Sequence, residues 1–354
     1  MTDIRPFRAY RPAKEKASLI AALPYDVYNR QEAKKIVMQN PLSFLAIDRA
    51  ETSFDDSVDT YADEVYLKAK ELLDKRINDG DFVRDERSCY YLYELTMNGR
   101  SQMGIVGCAS IDDYVNGVIK KHENTRADKE VDRIRHVDTC DAQTGPIFLA
   151  YREQQELKEL KTSWIAEHAP EIDIVSEDEI RHRIWMIDNE EVISKLKKAL
   201  EHLPNIYIAD GHHRCASAAK VGLKRREANP DYTGEEEYNY FLSVLFPDEE
   251  LLILDYNRVV KDLNGYTEGE FLSEISVNFE CTCIGEHPVK PARKGQFGMY
   301  LEGKWYVLET KEHCKSTDPV KGLDVSVLQD NLLSPVLGIG DPKTDKRIDF
   351  VGGI

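Results

Sequence analysis

The run Ile206-Tyr207-Ile208-Ala209-Asp210-Gly211-His212-His213-Arg214 brings an acid, two imidazoles and a guanidinium together at a change of local structure. An apolar, β-branched stretch ends at Asp210 and Gly211 permits a tight turn. The Ala- and Lys/Arg-rich segment from His212 to Asn229 predicts a helix. The first turn of a helix has unpaired N–H groups and the positive dipole end, so an anion is stabilised there. Arg214 adds a planar fork suited to phosphate or carboxylate. Asp210 stands where it could cap the helix or hold a metal such as Mg2+ at its mouth. Adjacent helical residues point about 100° apart, so His212 and His213 are not expected to ligate one metal together. The plainer alternative is that Asp210 only caps the helix and the histidines are satisfied polar side chains.

A second cluster is Lys120-Lys121-His122-Glu123-Asn124-Thr125-Arg126. Continued as a helix, it puts His122, Arg126, Lys129, Arg133 and His136 on one stripe at spacings of four and three. Ala127, Val131 and Ile134 form the neighbouring apolar stripe, which is expected to face the core. The basic stripe is a local exception in a chain of net charge −17. It could bind a polyanion such as a nucleoside triphosphate, or be a solvated face paired with Asp128, Glu130 and Asp132. Two carboxylates are candidate general bases: Glu123, and Asp26 in the Pro-rich stretch Pro24-Tyr25-Asp26-Val27, although Asp in a turn is commonplace. Cys281-Thr282-Cys283 puts two thiols on one strand face with no second pair, which argues against zinc. Cys215 reads either as a thiol activated by the helix N-terminus or as an inert buried one. No Gly-x-x-x-x-Gly-Lys-Ser/Thr loop occurs, and no Gly-x-Gly-x-x-Gly follows a strand, which removes the P-loop and Rossmann modes of nucleotide binding.

The elements that must position these residues follow from pattern and punctuation. The opening forty residues read as irregular, broken by Pro6, Pro12, Pro24 and Pro41. A helix is expected over Asp59–Asn78, then two strands, Tyr90–Met97 and Gln102–Ile111, joined by the hairpin dipeptide Asn98-Gly99. Pro146–Tyr151, Ile180–Ile187 and Asn205–Ala209 read as strands, Leu157–His168 and Asn189–His202 as helices. Tyr238–Phe246 and Leu251–Asp255 are expected to be a strand pair. Glu302-Gly303-Lys304 predicts a hairpin between Phe297–Leu301 and Trp305–Leu308. The alternation lacks a regular βαβ beat, so the expected class is α+β with mixed sheets. Three regions are expected: 1–115, 116–255 carrying the basic helix and the Asp-Gly-His-His-Arg junction, and 256–354.

Lys plus Arg number 47 against 64 Asp plus Glu, and a surface that negative disfavours a sequence-independent nucleic-acid clamp. A 42% hydrophobic share supports a real core. No apolar run is long enough to span a bilayer, and the first residues lack the apolar region of a secretory signal. Seven cysteines, an odd number, read as reduced thiols of a cytoplasmic protein.

Several segments together carry a resemblance. Ile4-Arg5-Pro6-Phe7, Pro24-Tyr25-Asp26-Val27, Asn40-Pro41, Lys121-His122-Glu123-Asn124-Thr125, Gly145-Pro146-Ile147-Phe148, Ala209-Asp210-Gly211-His212-His213-Arg214 and Asp341–Phe350 stand in the order seen in the domain-of-unknown-function family 1015. The Asp-Gly-His-His-Arg element is in turn similar to the phosphate-binding element of the ParB/sulfiredoxin-like superfamily, which includes segregation clamps, sulfiredoxins and kinases of free serine. That likeness implies a strand–turn–helix core with nucleotide phosphates at Gly211, His212, His213 and Arg214, and Asp210 near metal or substrate. His122 and Arg126 are expected to approach the same ligand. It also implies that family members run on past a Phe-Val-Gly-Gly element, so the 256–354 region reads as shortened relative to the family.

The leading functional expectation is a kinase using ATP or ADP with Mg2+ to phosphorylate a small hydroxyl metabolite, free L-serine first. Asp26 or Glu123 would take the hydroxyl proton, and Asp210 and Arg214 would act on the transferring phosphate. The alternatives are a non-catalytic, nucleotide-binding regulator of the ParB-like type, or a phosphate-ester hydrolase or sulfur-redox enzyme using Cys215.

Overall fold

The computed structural model describes residues 2–122, 127–318, 320–342 and 344–352, with the backbone alone for 127–129. The chain divides into two compact units, residues 1–251 and 252–354. A boundary near residue 115 is absent. Tyr240–Pro247 pairs along Arg100–Ser110 from Tyr240↔Ser110 to Leu245↔Ile105, so both sides of the expected boundary share one sheet. The fold is mixed α+β with several sheets.

In the first unit, nine strands among the described residues form one sheet. Its order is Ile119–Lys120, Ile206–Asp210, Ile147–Tyr151, Tyr240–Pro247, Arg100–Ser110, Tyr90–Met97, Arg181–Ile187 and Ile172–Val175, with Ile4–Arg5 added on Arg100–Ser110. Parallel and antiparallel neighbours mix: Tyr240–Pro247 runs parallel to Ile147–Tyr151, which is antiparallel to Ile206–Asp210. The Asn98-Gly99 turn has both residues at positive φ, 51° and 76°, and joins Met97 directly to Arg100 as a two-residue hairpin does.

Side chains alternate across the sheet, and each face has its own lining. Phe241 and Leu245, Tyr90 and Leu92, Trp185 and Ile187 point to a face packed by helices. Those helices are Gln155–Glu167, Glu190–Glu201 and His212–Ala228, contributing Trp164, Leu196, Leu200, Cys215 and Ala219 to the core. The alternate residues Leu242, Val244, Phe246, Tyr91, Tyr93, Ile184 and Met186 point to the other face and line a cavity. Segments between Phe7 and Tyr25 and the helix Ala127–Cys140 also line that cavity.

Two expectations about elements are corrected. The opening residues are not irregular throughout, because Arg30–Gln39 is a helix with an Asn29/Glu32 capping box. Leu251–Asp255 is not a strand; it spans the change of unit, and Ile253 is almost fully exposed. The strand begins at Tyr256 instead and pairs with Ile348–Gly352, a partner far along the chain.

The second unit has its own core, built from Phe271, Ile275, Phe279, Leu308, Leu333 and Ile339. Its three-stranded antiparallel sheet runs Phe279–Gly285, Lys304–Thr310, Gln296–Leu301. The hairpin turn Glu302-Gly303 again has both φ positive. Thr267 and Glu270 form a capping box on the helix Glu268–Asn278.

Candidate functional site

The strand Ile206–Asp210 ends at the expected junction. Gly211 takes φ 91° and ψ 31°, and the helix begins at His212 with no side chain capping its first turn. A positive φ there is what a glycine supplies. The ladder slips between Ile208, opposite Leu149, and Asp210, opposite Phe148. Two residues therefore face one, which is a bulge. Without it Asp210 would share the core face of Ile206 and Ile208; with it, Asp210 and Phe148 both face the cavity.

Arg214 lies one turn into the helix and folds back over this junction. Its Nη2 donates to Asp210 Oδ2 at 2.6 Å and its Nη1 to the Pro146 carbonyl at 2.6 Å. A Cβ on Gly211 would stand 3.2 Å from Arg214 Nε, so the glycine also makes room for the guanidinium. Asp210 thus pairs with Arg214 rather than capping the helix, and the first-turn N–H groups are left uncapped.

The cavity holds about 610 Å³. Its body is the apolar sheet face, and Asp210, Arg214, Arg133, His136, Asp48 and Tyr25 contribute polar groups to its lining. Arg133 is 8% exposed, donates through Nε to Asp132 at 2.8 Å, and lies over the Tyr25 ring at 4.1 Å. Burial raises the Tyr25 phenol, while Arg133 and Arg214 both pull it down, so both cations act at this end. His136 Nε2 stands 3.5 Å from Asp48 Oδ1 and 3.9 Å from Cys140 Sγ. Burial opposes charge on His136, but these two neighbours outweigh it and push its pKa up to about 9.

The sequence-expected residues are thus partly brought together. Asp210 and Arg214 line the cavity; Gly211 sits behind Arg214. His212 is buried and its ring meets the His122 ring edge-on, centroids 4.5 Å apart, so His122 does approach the junction. His213 lies on the same first turn, and its Nδ1 is buried without a hydrogen-bond partner among the described residues. Glu123 and Arg126 lie outside the described residues. Asp26 is exposed and does not line the cavity; its neighbour Tyr25 does. A short turn, Tyr25–Val27, points successive side chains in different directions, and the aromatic ring takes the inward position. Cys215 is fully buried in the core and burial pushes its thiol up, away from thiolate character.

The helix Ala127–Cys140 departs from its expected orientation at Val131, while Ile134 is half-buried. Val131, placed on the core side by its apolarity, is 55% exposed, whereas Arg133 and His136 are buried. The polar stripe faces inward because each group finds a partner there: Asp132 and Tyr25 for Arg133, Asp48 and Cys140 for His136. The sequence reading left Asp48 out and took Arg133 and His136 only as members of the basic stripe, naming just His122 and Arg126 of it for the shared ligand. The readable signals were the regular spacing of the stripe and strands apolar on both alternating sets, which imply that both sheet faces are covered.

A wider, open depression of about 880 Å³ beside Trp164, His168 and Asn189 holds none of the motif residues. Among the described residues no three His, Cys, Asp or Glu side chains gather as a metal site, and no helix is long and apolar enough to cross a membrane. Neither a curated protein nor a solved structure matches the chain. Over residues 4–326, which include every element of this cavity, the chain matches the profile described as protein of unknown function (DUF1015), and it belongs to that family.

Proposed function

We propose that the protein is a nucleotide-dependent phosphotransferase acting on the hydroxyl of a small metabolite, free L-serine being the first acceptor to test. The observation that carries this reading is the uncapped helix N-terminus at His212 with Arg214 folded across it, beside a cavity that a buried arginine, Arg133, also lines. Phosphoryl transfer needs positioning and charge neutralisation more than covalent chemistry, and a helix terminus with two guanidinium groups suits that task. The similarity of Asp210–Arg214 to the phosphate-binding element of the ParB/sulfiredoxin-like superfamily, with its serine kinases, supports the same reading.

In this reading ATP or ADP lays its phosphates on the amides following Gly211, and Arg214 neutralises the transferring oxygens. Mg2+ is usually held by one or two carboxylates plus substrate phosphates. Asp210, whose side chain is 70% exposed, is the carboxylate available at the junction. Bound Mg2+ would offset charge on the phosphates. A carboxylate takes the hydroxyl proton: Glu123, the residue expected from the sequence, or Asp48, which lines the cavity. The inert surroundings of Cys215 favour this chemistry over a sulfur-redox one.

The test is mass spectrometry of mixtures holding the protein, Mg2+, ATP or ADP, and a panel of hydroxyl metabolites. O-phosphoserine, or another phosphorylated acceptor, above the level given by Arg214→Ala supports the proposal. Nucleotide binding with no product from any acceptor replaces it with the regulator reading.

A further inference from the structure

The cavity is larger and more apolar than a serine side chain requires. At about 610 Å³ it falls within the range of roughly 300–1,000 Å³ typical of sites for whole organic ligands. Phe148, Val244 and Phe246 form a continuous apolar floor for it. At the polar end Asp210 lies against Arg214 and Asp48 stands 3.5 Å from His136, so each acid there has a basic neighbour of its own. Arg133 differs. It is more than nine-tenths buried, and its Nε is held by Asp132. Its guanidinium lies over the Tyr25 ring, and among the described residues no hydrogen bond or ion pair engages its two terminal nitrogens at the cavity wall. A guanidinium edge without protein acceptors at a cavity wall is left for a ligand, and its fork matches the two oxygens of a carboxylate or phosphate.

We propose that this cavity binds an amphipathic anion, its carboxylate or phosphate monoester on the Arg133 fork and its apolar body along the sheet face. The inference uses the cavity of the site described above but not its reaction. Because binding is read without nucleotide, its failure leaves the kinase reading standing, and absence of a phosphorylated product leaves this inference standing.

The experiment is calorimetric titration of the full chain with acetate, butyrate, hexanoate and octanoate, and with octyl phosphate, octanol and inorganic phosphate. Affinity should rise up to about three- to fourfold per methylene along the carboxylate series. Octanol should bind at least about tenfold more weakly than octanoate, and Arg133→Gln should abolish that preference for the anion. Val244→Trp, which fills the floor, should weaken octanoate while sparing acetate. Tight octyl phosphate with weak octanoate, or the reverse, identifies the headgroup and supports the proposal either way. A flat chain-length series together with weak octyl phosphate, octanol binding as tightly as both octanoate and octyl phosphate, or binding of inorganic phosphate only would overturn it.

Discussion

The two faces of the large sheet are made by the same strands and differ only in which alternate residues they show. On one, Phe241, Leu245, Tyr90, Leu92 and Trp185 are sealed under three helices. On the other, Leu242, Val244, Phe246, Tyr91 and Ile184 are just as apolar, yet they line a cavity with charged groups in its wall. Hydrophobicity therefore does not distinguish them. What covers each face does: regular amphipathic helices fill one, while loops and a helix with an inward polar stripe leave space over the other. Burial on the first face serves stability, and burial on the second creates a low-dielectric setting for charge.

The sharpest way to break this contrast is to truncate neighbours on one strand. Leu245→Ala, at a fully buried site in the packed core, should cost about 3 kcal/mol, read by chemical denaturation. Leu242→Ala, opening only further into the cavity, should cost under about 1.5 kcal/mol. Equal costs would mean that the cavity face is as tightly packed as the other.

If the proposed phosphotransfer is this protein's reaction, Arg214→Ala should lower its turnover by about two orders of magnitude, the usual effect of losing a transition-state charge partner. Stability should change little, because among the described residues the side chain bonds only Asp210 and the Pro146 carbonyl. A loss of folding comparable to that of Leu245→Ala would make Arg214 a structural residue.

His136 gives a pH signature specific to the cavity side. Its folded pKa is raised, from 6.5 to about 9, so the stability it contributes is fully present below pH 6.5. That contribution falls as pH rises from there through about 9. Denaturant titrations at pH 6 and pH 9.5 should differ by on the order of 2 kcal/mol, and His136→Gln should flatten the difference. The smallest effect is expected at the junction. Gly211→Ala places a Cβ at φ 91° and 3.2 Å from Arg214, which should cost about 1 kcal/mol in denaturation and weaken phosphate binding.

Much of this architecture was legible because its causes are local. Asn98-Gly99 demands a two-residue turn, Asn189 caps the helix Glu190–Glu201, and Gly211 allows the left-handed residue between strand and helix. The missed helix Arg30–Gln39 was equally local; its Asn29/Glu32 box was readable and was overshadowed by the surrounding prolines. Leu251–Asp255 failed for a different reason. An apolar run becomes a strand only if a partner lies beside it, and the partner of this region, Ile348–Gly352, pairs from Tyr256 onward.

The amino-acid sequence by itself determined the α+β class, the hairpins and the Asp210–Arg214 junction, since backbone preferences over a few residues decide them. Tertiary structure alone decided where the chemistry faces. The bulge opposite Leu149 and Phe148 turns Asp210 from core to cavity, a choice that belongs to the pairing of two strands. The helix Ala127–Cys140 buries Arg133 and His136 and exposes Val131 because Asp132, Tyr25, Asp48 and Cys140 converge on the charged side chains. Periodicity marks the two stripes of a helix, but the cost of burying a charge depends on the partners that meet it, and those come from distant parts of the chain.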